Sequence, residues 1–290
     1  MPLEAKVLGQ NVGYPTEYCP LILVPVPRHL NREIYNINNP TELFKGYDTW
    51  HAYEAGFLTR QGLPVCGVLK IVYPASSPYL VESKSLKLYL NSLNMTRLGD
   101  NIHAGIETYV KTVKSDLEQI LETHVDVVFH SQETERLFDF NSYLLLETLP
   151  EAQETSFSEY TENPDLLMEN TREGGEIRIC SHLLRSNCKI TKQPDWGSIF
   201  IRLKADKLPD NISLLKYIIS LRTENHFHEE ICEMVYKRLH DFFHPEILSV
   251  SCLYTRRGGI DICPSRANKV EYLPEFLHDP EVLSQRLLRQ

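Results

Sequence analysis

An internal repeat constrains the fold of this 290-residue chain more than any other feature. The segments 82–94 (ESKSLKLYLNSLN) and 210–222 (DNISLLKYIISLR) agree at five positions with one constant offset. The agreeing pairs are Ser85 and Ser213, Leu86 and Leu214, Tyr89 and Tyr217, Ser92 and Ser220, and Leu93 and Leu221. Upstream of these segments, Pro64 matches Pro194 and Gly67 matches Gly197 after a two-residue length change. Self-similarity over so long a period indicates that one supersecondary unit has been duplicated.

The same order of elements is predicted on both sides of the repeat. In the first half, the apolar periodicity predicts strands at 50–59 and 65–74, helices at 82–94 and 101–124, and strands at 125–130 and 142–149. In the second half, it predicts strands at 176–185 and 198–206, helices at 210–222 and 226–243, and strands at 246–257 and 260–264. A β-β-α-α-β-β unit buries its helix pair on one face of an antiparallel sheet, so we predict an α+β fold made of two tandem modules.

An acidic segment divides the chain near its middle. Residues 148–176 (TLPEAQETSFSEYTENPDLLMENTREGGE) are rich in carboxylates and turn formers and lack aliphatic periodicity, which is typical of a connector. We therefore predict a first module at 1–147, a connector at 148–176 and a second module at 177–290.

Composition limits the partners and the compartment. The formal net charge of −9 argues against nucleic acid as a partner, so an anionic ligand must meet a local basic patch. Seven cysteines without regular spacing, with no signal peptide at the start, favour free thiols in a reducing cytoplasm. No run approaches the roughly 20 apolar residues that span a bilayer, so no membrane partner is expected.

One cysteine and one aspartate flank a stiff loop in the segment 186–198 (SNCKITKQPDWGS). Pro194 fixes its own φ and favours an extended predecessor, so the loop can hold Cys188 and Asp195 in register. This suits a nucleophile with a proton donor. A buried apolar cysteine beside an ordinary Pro-Asp turn fits the same residues, and on these residues alone it is the better interpretation.

The start of the first repeated helix differs from its copy in charge. Glu82, Lys84 and Lys87 stand where the second half has Asp210, Ile212 and Leu215, respectively. A carboxylate and cations at the mouth of a binding cleft would explain the difference. A helix N-terminus with a solvated basic face is the alternative and, on these residues alone, the better interpretation.

The segment 226–230 (HFHEE) opens a long amphipathic helix for which Asn225 is a candidate N-cap. A carboxylate accepts two hydrogen bonds side by side, so Glu229, with His228, suits the adjacent N–H donors of a guanine-like edge. Zinc is the alternative, but the spacing of its candidate ligands is not that of a metal site. Those candidates are His226, His228, Cys180 and Cys188.

The segment 254–261 (YTRRGGID) has the composition of a tight turn that grips phosphate through guanidinium groups. A hairpin turn with exposed arginines is the alternative. The sequence contains neither a GxGxxG fingerprint nor a P-loop, so a dinucleotide would not be held in the Rossmann manner.

Taken together, HLLRSNCKITKQPDWGS, VESKSLKLYLNS, HFHEE, TRRGGI and LGQNVGYPTEYCPLILVPVPR resemble a nitrile reductase family of queuosine biosynthesis. The family is that of the NADPH-dependent 7-cyano-7-deazaguanine reductases, and the two halves are similar to its long, two-module form. The resemblance implies two tandem tunnelling-fold modules, each an antiparallel sheet with two helices on one face.

The resemblance also implies the roles of individual residues. Cys188 would attack the nitrile carbon to give a covalent thioimide, with Asp195 as the proton donor. The deazaguanine ring would be held by Val81, Glu82, Ser83, His228 and Glu229. The cofactor NADPH would be contacted by Ser83, Lys84, Arg257 and Gly258. Arg256 beside Arg257 leaves open which guanidinium meets the phosphate. A homodimer is expected, because edge strands of this fold close between modules or subunits.

Two other functions are compatible with parts of the sequence. A hydrolase of the GTP cyclohydrolase type shares the implied fold and would use zinc, for which the histidine and cysteine count is the only support. A purine-binding module without chemistry is the other, and the loop that joins Cys188 to Asp195 disfavours it.

Overall fold

The computed structural model describes residues 15–134, 136–171 and 174–290. Residues 8–14 of the amino-terminal motif therefore lie outside the described residues. The elements before the middle of the chain are β1 (Pro25–Pro27), α1 (His29–Ile34), α2 (Pro40–Leu43), β2 (Lys45–Leu58), β3 (Pro64–Pro74), β4 (Tyr79–Val81), α3 (Ser83–Leu93), α4 (Ile102–Leu121), β5 (Asp126–His130), β6 (Arg136–Leu137) and β7 (Leu144–Leu145).

The remaining elements repeat much of that order. They are α5 (Pro150–Glu154), β8 (Gly175–Ser181), β9 (Arg185–Cys188), β10 (Pro194–Ala205), α6 (Asn211–Ser220), β11 (Asn225–His226), α7 (His228–Phe243), β12 (Ile247–Tyr254), β13 (Ile260–Ala267), α8 (Glu275–His278) and β14 (Leu283–Ser284). The α+β class predicted from the sequence is confirmed.

One sheet runs through both halves of the chain. Its antiparallel strands follow the order β5, β3, β2, β13, β12, β10, and β10 continues to β8 along one part of its length and to β9 along another. The ladder between β13 and β2 joins the halves over eight residue pairs, from Ile260 with Ala52 to Ala267 with Lys45. The second half therefore completes the sheet of the first.

The long helices cover one face of this sheet. Directly paired residues of an antiparallel ladder point to the same face, and so do residues two or four apart on one strand. Ile201 pairs with Val250, Val250 with Arg266, and Ile262 with Trp50, which puts all five on one face. Trp50 and Ile262 belong to the core cluster completed by α3 and α4, and Ile201 and Val250 to the cluster completed by α6 and α7.

The repeat extends to the hydrogen bonds that begin the two copied helices. Ser85 Oγ donates to the carbonyl of Glu82 and accepts the N–H of Val24 at 3.1 Å. Ser213 Oγ donates to the carbonyl of Asp210 and accepts the N–H of Met168, also at 3.1 Å. Each helix is thus tied to a preceding strap, which we define as residues 19–24 in the first half and 163–168 in the second.

The second strap lies within the predicted connector. Both straps contain one 3₁₀ turn that starts with proline, Pro20–Ile22 and Pro164–Leu166. Leu167 is buried in the core of the second half. This part of the acidic segment therefore packs on α6, while the boundaries at 147/148 and 176/177 stay predictions.

Three local predictions were wrong. The strand expected at 142–149 is reduced to Leu144–Leu145, because the chain turns into a 3₁₀ helix that buries Leu146 in the core. The strand expected at 176–185 ends at Ser181, and β9 begins separately at Arg185. Asn225 does not cap α7, since it pairs in β11. The N-cap is Phe227, whose backbone N–H donates to the Glu230 carboxylate at 3.0 Å.

Among the residues that the structure describes, none of the helices combines the length and the hydropathy needed to cross a membrane.

Candidate active site

A cavity of about 490 Å³ lies where the two halves meet. The ends of β4 and α3 form its wall in the first half, and β9, β10, the start of α7 and the turn between β12 and β13 form its wall in the second. The predicted site residues that line it are Val81, Ser83, Lys84, Cys188, Asp195, His228, Glu229, Arg257 and Gly258. Of the predicted set, Glu82 alone is not in the lining. A larger cavity of about 580 Å³, between α5 and α6, contains none of them.

Cys188 is held at the end of a closed hairpin. Its backbone N–H donates to the carbonyl of Gln193 at 2.8 Å, and its carbonyl accepts the N–H of Lys192, which has a positive φ of 59°. Cys188 also pairs with His226 of β11. The thiol is buried at 9% exposure, so the hairpin fixes a cysteine at the cavity wall with little access to bulk water.

Asp195 is paired with two cationic or potentially cationic groups. Its Oδ1 accepts a hydrogen bond from Arg257 Nη1, and its Oδ2 lies 3.5 Å from His228 Nε2. Burial raises the pKa of this carboxyl, but His228 and Arg257 outweigh it and hold the pKa below its ordinary value. Asp195 is therefore a carboxylate at neutral pH in this arrangement.

Glu229 is a buried carboxyl in the first turn of α7. It is 3% exposed, and its Oε1 has no hydrogen-bond partner among the described residues. Burial raises its pKa to about 8, and the charge of Asp48 adds to this effect, while Arg28 and Arg266 oppose it. A carboxyl with a free acceptor oxygen at the cavity wall is ready to pair with donor groups of a ligand.

Glu82 has a different environment at the start of α3. Its carboxylate accepts the backbone N–H groups of Lys84 at 2.9 Å and Ser85 at 2.7 Å, so it is the N-cap of that helix. Burial raises the pKa of Glu82, and those two N–H groups oppose the increase. With both oxygens engaged by the backbone, Glu82 orients Ser83 and Lys84 at the cavity mouth.

The turn between β12 and β13 brings cationic groups to the same cavity. Gly258 and Gly259 have φ values of 59° and 79°, and a Cβ at Gly258 would lie 2.7 Å from Lys87 Nζ. Arg257 and both lysines, Lys84 and Lys87, line the cavity. Arg256 instead lies over the Tyr53 ring, with its guanidinium 4.1 Å from the ring centroid. Of the two arginines, only Arg257 is in the described cavity wall.

Family models and known proteins match most of this chain. A family described as "Nitrile reductase, 7-cyano-7-deazaguanine-reductase N-term" matches residues 14–129, and one described as "QueF-like protein" matches residues 194–272. Proteins named NADPH-dependent 7-cyano-7-deazaguanine reductase from Acinetobacter baumannii (strain AYE) and Coxiella burnetii (strain RSA 331 / Henzerling II) are 38% and 41% identical to this chain. The alignments cover 95% of this chain and 97% of the first relative, and 91% and 92% for the second.

The chain belongs to the NADPH-dependent 7-cyano-7-deazaguanine reductase family. A further member, from Psychrobacter cryohalolentis, is 37% identical over 98% of both chains. The apo archaeosine synthase QueF-Like has a solved structure that matches 35% of this chain and 99% of its own, with 15% identity and a TM-score of 0.30. The family resemblance inferred from the sequence motifs is confirmed.

The four candidate zinc ligands are not grouped as a metal site among the described residues. The one group of three potential metal ligands found in the described chain is His51, Asp261 and Cys263, none of which was a candidate. Asp261 there accepts hydrogen bonds from His51 and Tyr53. His226, His228, Cys180 and Cys188 do not form such a group in the part of the chain that the structure describes.

Several residues that line the cavity were not in the predicted site, among them Trp50, Thr191 and Gln193. Gln193 accepts a hydrogen bond from Arg257 Nη2 at 2.6 Å and so helps to hold that guanidinium. Thr191 and Gln193 lie in the loop between Cys188 and Asp195, so their position in the sequence could have indicated that they line the same cavity. Trp50 lies in the middle of a strand, and nothing in its local sequence marks it.

Proposed function

We propose that this chain reduces the nitrile of 7-cyano-7-deazaguanine to the primary amine, with Cys188 as the nucleophile and NADPH as the reductant. The observation that carries the proposal is the fixed position of Cys188 and Asp195 on one hairpin at the wall of a cavity between the halves. The names of the relatives support the substrate and the cofactor.

The state of Asp195 supports a definite order of proton movements. Because Asp195 is held as a carboxylate by Arg257 and His228, it accepts the thiol proton of Cys188 before it donates one. The thiolate then forms a C–S bond to the nitrile carbon, one C–N π bond breaks, and the nitrogen takes the proton back from Asp195. The result is a thioimide on Cys188 with Asp195 again ionised.

The residues at the mouth of the cavity fit a phosphorylated dinucleotide. Ser83, Lys84, Arg257 and Gly258 would hold NADPH, because cationic side chains pair with phosphate and a positive-φ glycine leaves room for close approach. When bound, NADPH supplies the hydrides that reduce the nitrile carbon. The walls of the cavity would meanwhile exclude water, which hydrolyses imines.

Ring recognition is assigned to both halves of the site. Glu229 and His228 would pair with the donor edge of the deazaguanine, and Val81 and Ser83 would form the opposite side, with Glu82 as the N-cap that orients Ser83. Glu229 must ionise to accept two N–H groups. The two hydrogen bonds from the ring would favour the ionised carboxylate and so oppose the burial that raises its pKa.

The architecture belongs to the same proposal. Two tandem tunnelling-fold modules account for a helix pair on one face of each half of the sheet. Within the described chain β5 pairs with β3 alone, so its outer edge is available to a second copy in a homodimer. A cytoplasmic location and the absence of a nucleic-acid partner complete the proposal and rest on free thiols and net charge.

The test is intact-protein mass after mixing the protein with 7-cyano-7-deazaguanine in the absence of NADPH. We expect the wild type to gain the mass of one substrate and Cys188→Ala to gain nothing. Cys66→Ala is the matched control, because Cys66 is an exposed thiol outside the cavity, and it should form the adduct normally. Addition of NADPH should then discharge the adduct with two NADPH oxidised per nitrile. An adduct that persists in Cys188→Ala would overturn the assignment of the nucleophile.

A further inference from the structure

Trp50 has a buried hydrogen-bond donor without a partner. It lies on β2 opposite Ile262 of β13, and it is one of the residues that line the cavity. The residue is 1% exposed, and its indole Nε1 has no hydrogen-bond partner among the described residues. A buried N–H without an acceptor is costly to a fold, so such a group at a cavity wall indicates that a ligand supplies the acceptor.

The neighbourhood of Trp50 contains the complementary group. Asp48 is two residues before Trp50 on β2, so the two side chains point to the same face of the sheet. Asp48 is also close enough to Glu229 for its charge to act on that carboxyl. Trp50, whose indole N–H is an unpaired donor, and Glu229, whose Oε1 is an unpaired acceptor, therefore both belong to the lining of one cavity.

A guanine-like ring presents the pattern that satisfies both groups. Its N1–H and 2-amino group are adjacent donors, which a carboxylate accepts side by side. The 6-oxo group next to N1 is a strong acceptor with no partner on Glu229. Resting on the proposed function, we propose that the Trp50 indole N–H donates a hydrogen bond to the 6-oxo group of the deazaguanine ring. Trp50 is thereby a specificity-determining residue of the site.

Trp50 also packs in the core of the first half, so a packing role has to be separated from a donor role. A packing defect would weaken the binding of every ring that enters the cavity. A lost donor weakens only the binding of a ring that carries the acceptor. The measurement therefore has to compare two ligands and not only two proteins.

The experiment measures binding of 7-cyano-7-deazaguanine to Cys188→Ala protein without NADPH, so that neither the adduct nor turnover contributes. Trp50→Phe is compared with Trp196→Phe, because Trp196 is the only other tryptophan of the chain and is exposed. We expect Trp50→Phe to raise the Kd about 2- to 12-fold and Trp196→Phe to leave it unchanged. Ligand should quench tryptophan fluorescence in Trp196→Phe, which retains Trp50, and not in Trp50→Phe.

The second ligand is 2-amino-7-cyano-7-deazapurine, which lacks the 6-oxo group and, with it, the N1–H donor to Glu229, so it should bind every variant more weakly than the 6-oxo ligand does. With this ligand, Trp50→Phe should bind as well as the protein that retains Trp50. An equal penalty for both ligands, or no penalty with either, overturns the proposal. If Trp50→Phe does not fold, replacing Trp50 by 3-benzothienylalanine keeps the shape and removes only the N–H. Failure of every variant, including Trp196→Phe, to bind either ligand would instead refute the proposed function and this inference with it.

Discussion

The two halves of the molecule contain equivalent hairpins with different side chains. In the first, Leu58 pairs with Pro64, and the N–H of Thr59 donates to the carbonyl of Leu63 at 2.9 Å. In the second, Asn187 pairs with Pro194, and the N–H of Cys188 closes the loop in the same way. Thr59 therefore takes the place of Cys188, and Val65, which follows Pro64, takes the place of Asp195.

The two copied helices, α3 and α6, differ in the opposite direction, because here the charged side chains belong to the first half. Both α3 and α6 begin with a carboxylate N-cap and a strap bound through a serine. Lys84 and Lys87 of α3 line the cavity, whereas Ile212 and Leu215 of α6 pack in the core. The two halves therefore share these backbone hydrogen bonds but differ in their side chains at the cavity. The first half provides the lysines, and the second provides the cysteine and the aspartate.

The largest expected effect comes from copying the first hairpin into the second. Cys188→Thr should abolish the adduct and lower turnover by roughly 10³-fold or more, because a hydroxyl is a far weaker nucleophile than a thiolate at neutral pH. Intact mass and NADPH oxidation measure both. The reciprocal variant Thr59→Cys should react neither in the wild type nor together with Cys188→Thr. An adduct at residue 59 would mean that the hairpin alone, without the cavity, creates the reactivity.

The next effect comes from copying α6 into α3. Lys84→Ile with Lys87→Leu should weaken NADPH binding about 10- to 100-fold, since each charge-assisted hydrogen bond contributes about 1.5–3 kcal/mol and the two lysines share the phosphates. Cofactor titration measures the Kd. Adduct formation without NADPH should be unaffected. Lys111→Ile, at an exposed position of α4, is the control, and an equal loss there would indicate only a nonspecific charge effect.

Of the two glutamates predicted to bind the ring, Glu229 should contribute more to the dependence of stability on pH. Its pKa of about 8 in the folded chain lies above the ordinary 4.5, so the folded state retains a proton that the unfolded state has released. The free energy of unfolding should therefore fall between pH 5 and pH 8. Glu229→Gln should remove that fall, a difference on the order of 2 kcal/mol.

Urea unfolding at pH 5 and pH 8 measures this difference. Glu107→Gln, an exposed position of α4, should keep the wild-type dependence on pH. The same dependence in Glu229→Gln and in the wild type would show that Glu229 is not protonated in the folded chain.

The smallest effect tests the shared scaffold. Ser85→Ala and Ser213→Ala should each lower the free energy of unfolding by about 1 kcal/mol, because each leaves the N–H of its strap residue, Val24 or Met168, without an acceptor. Urea unfolding of both variants and of the double variant measures the losses. A loss confined to one half would break the structural equivalence of the two straps.

Much of this protein could be predicted from its sequence because the signals are local. Hydrophobic periodicity predicts the four long helices and the long strands, and the repeat predicts the same order of elements in both halves. The motif around Cys188 and Asp195 lies on one hairpin, so its geometry follows from a short segment. The strand predicted at 142–149 failed because burial of Leu146 in the distant core outweighed the local preference.

The sequence by itself determined the repeated scaffold, the family and the residues of the candidate site, because each depends on neighbours along the chain. Only the tertiary structure decided what those residues meet. The pairing of Asp195 with Arg257, the burial that raises the pKa of Glu229, and the unpaired indole N–H of Trp50 all join strands and helices far apart in sequence. Side-chain electrostatics and desolvation depend on distances in space, and those distances are fixed only when strands pair, β10 with β12 within the second half and β13 with β2 between the halves.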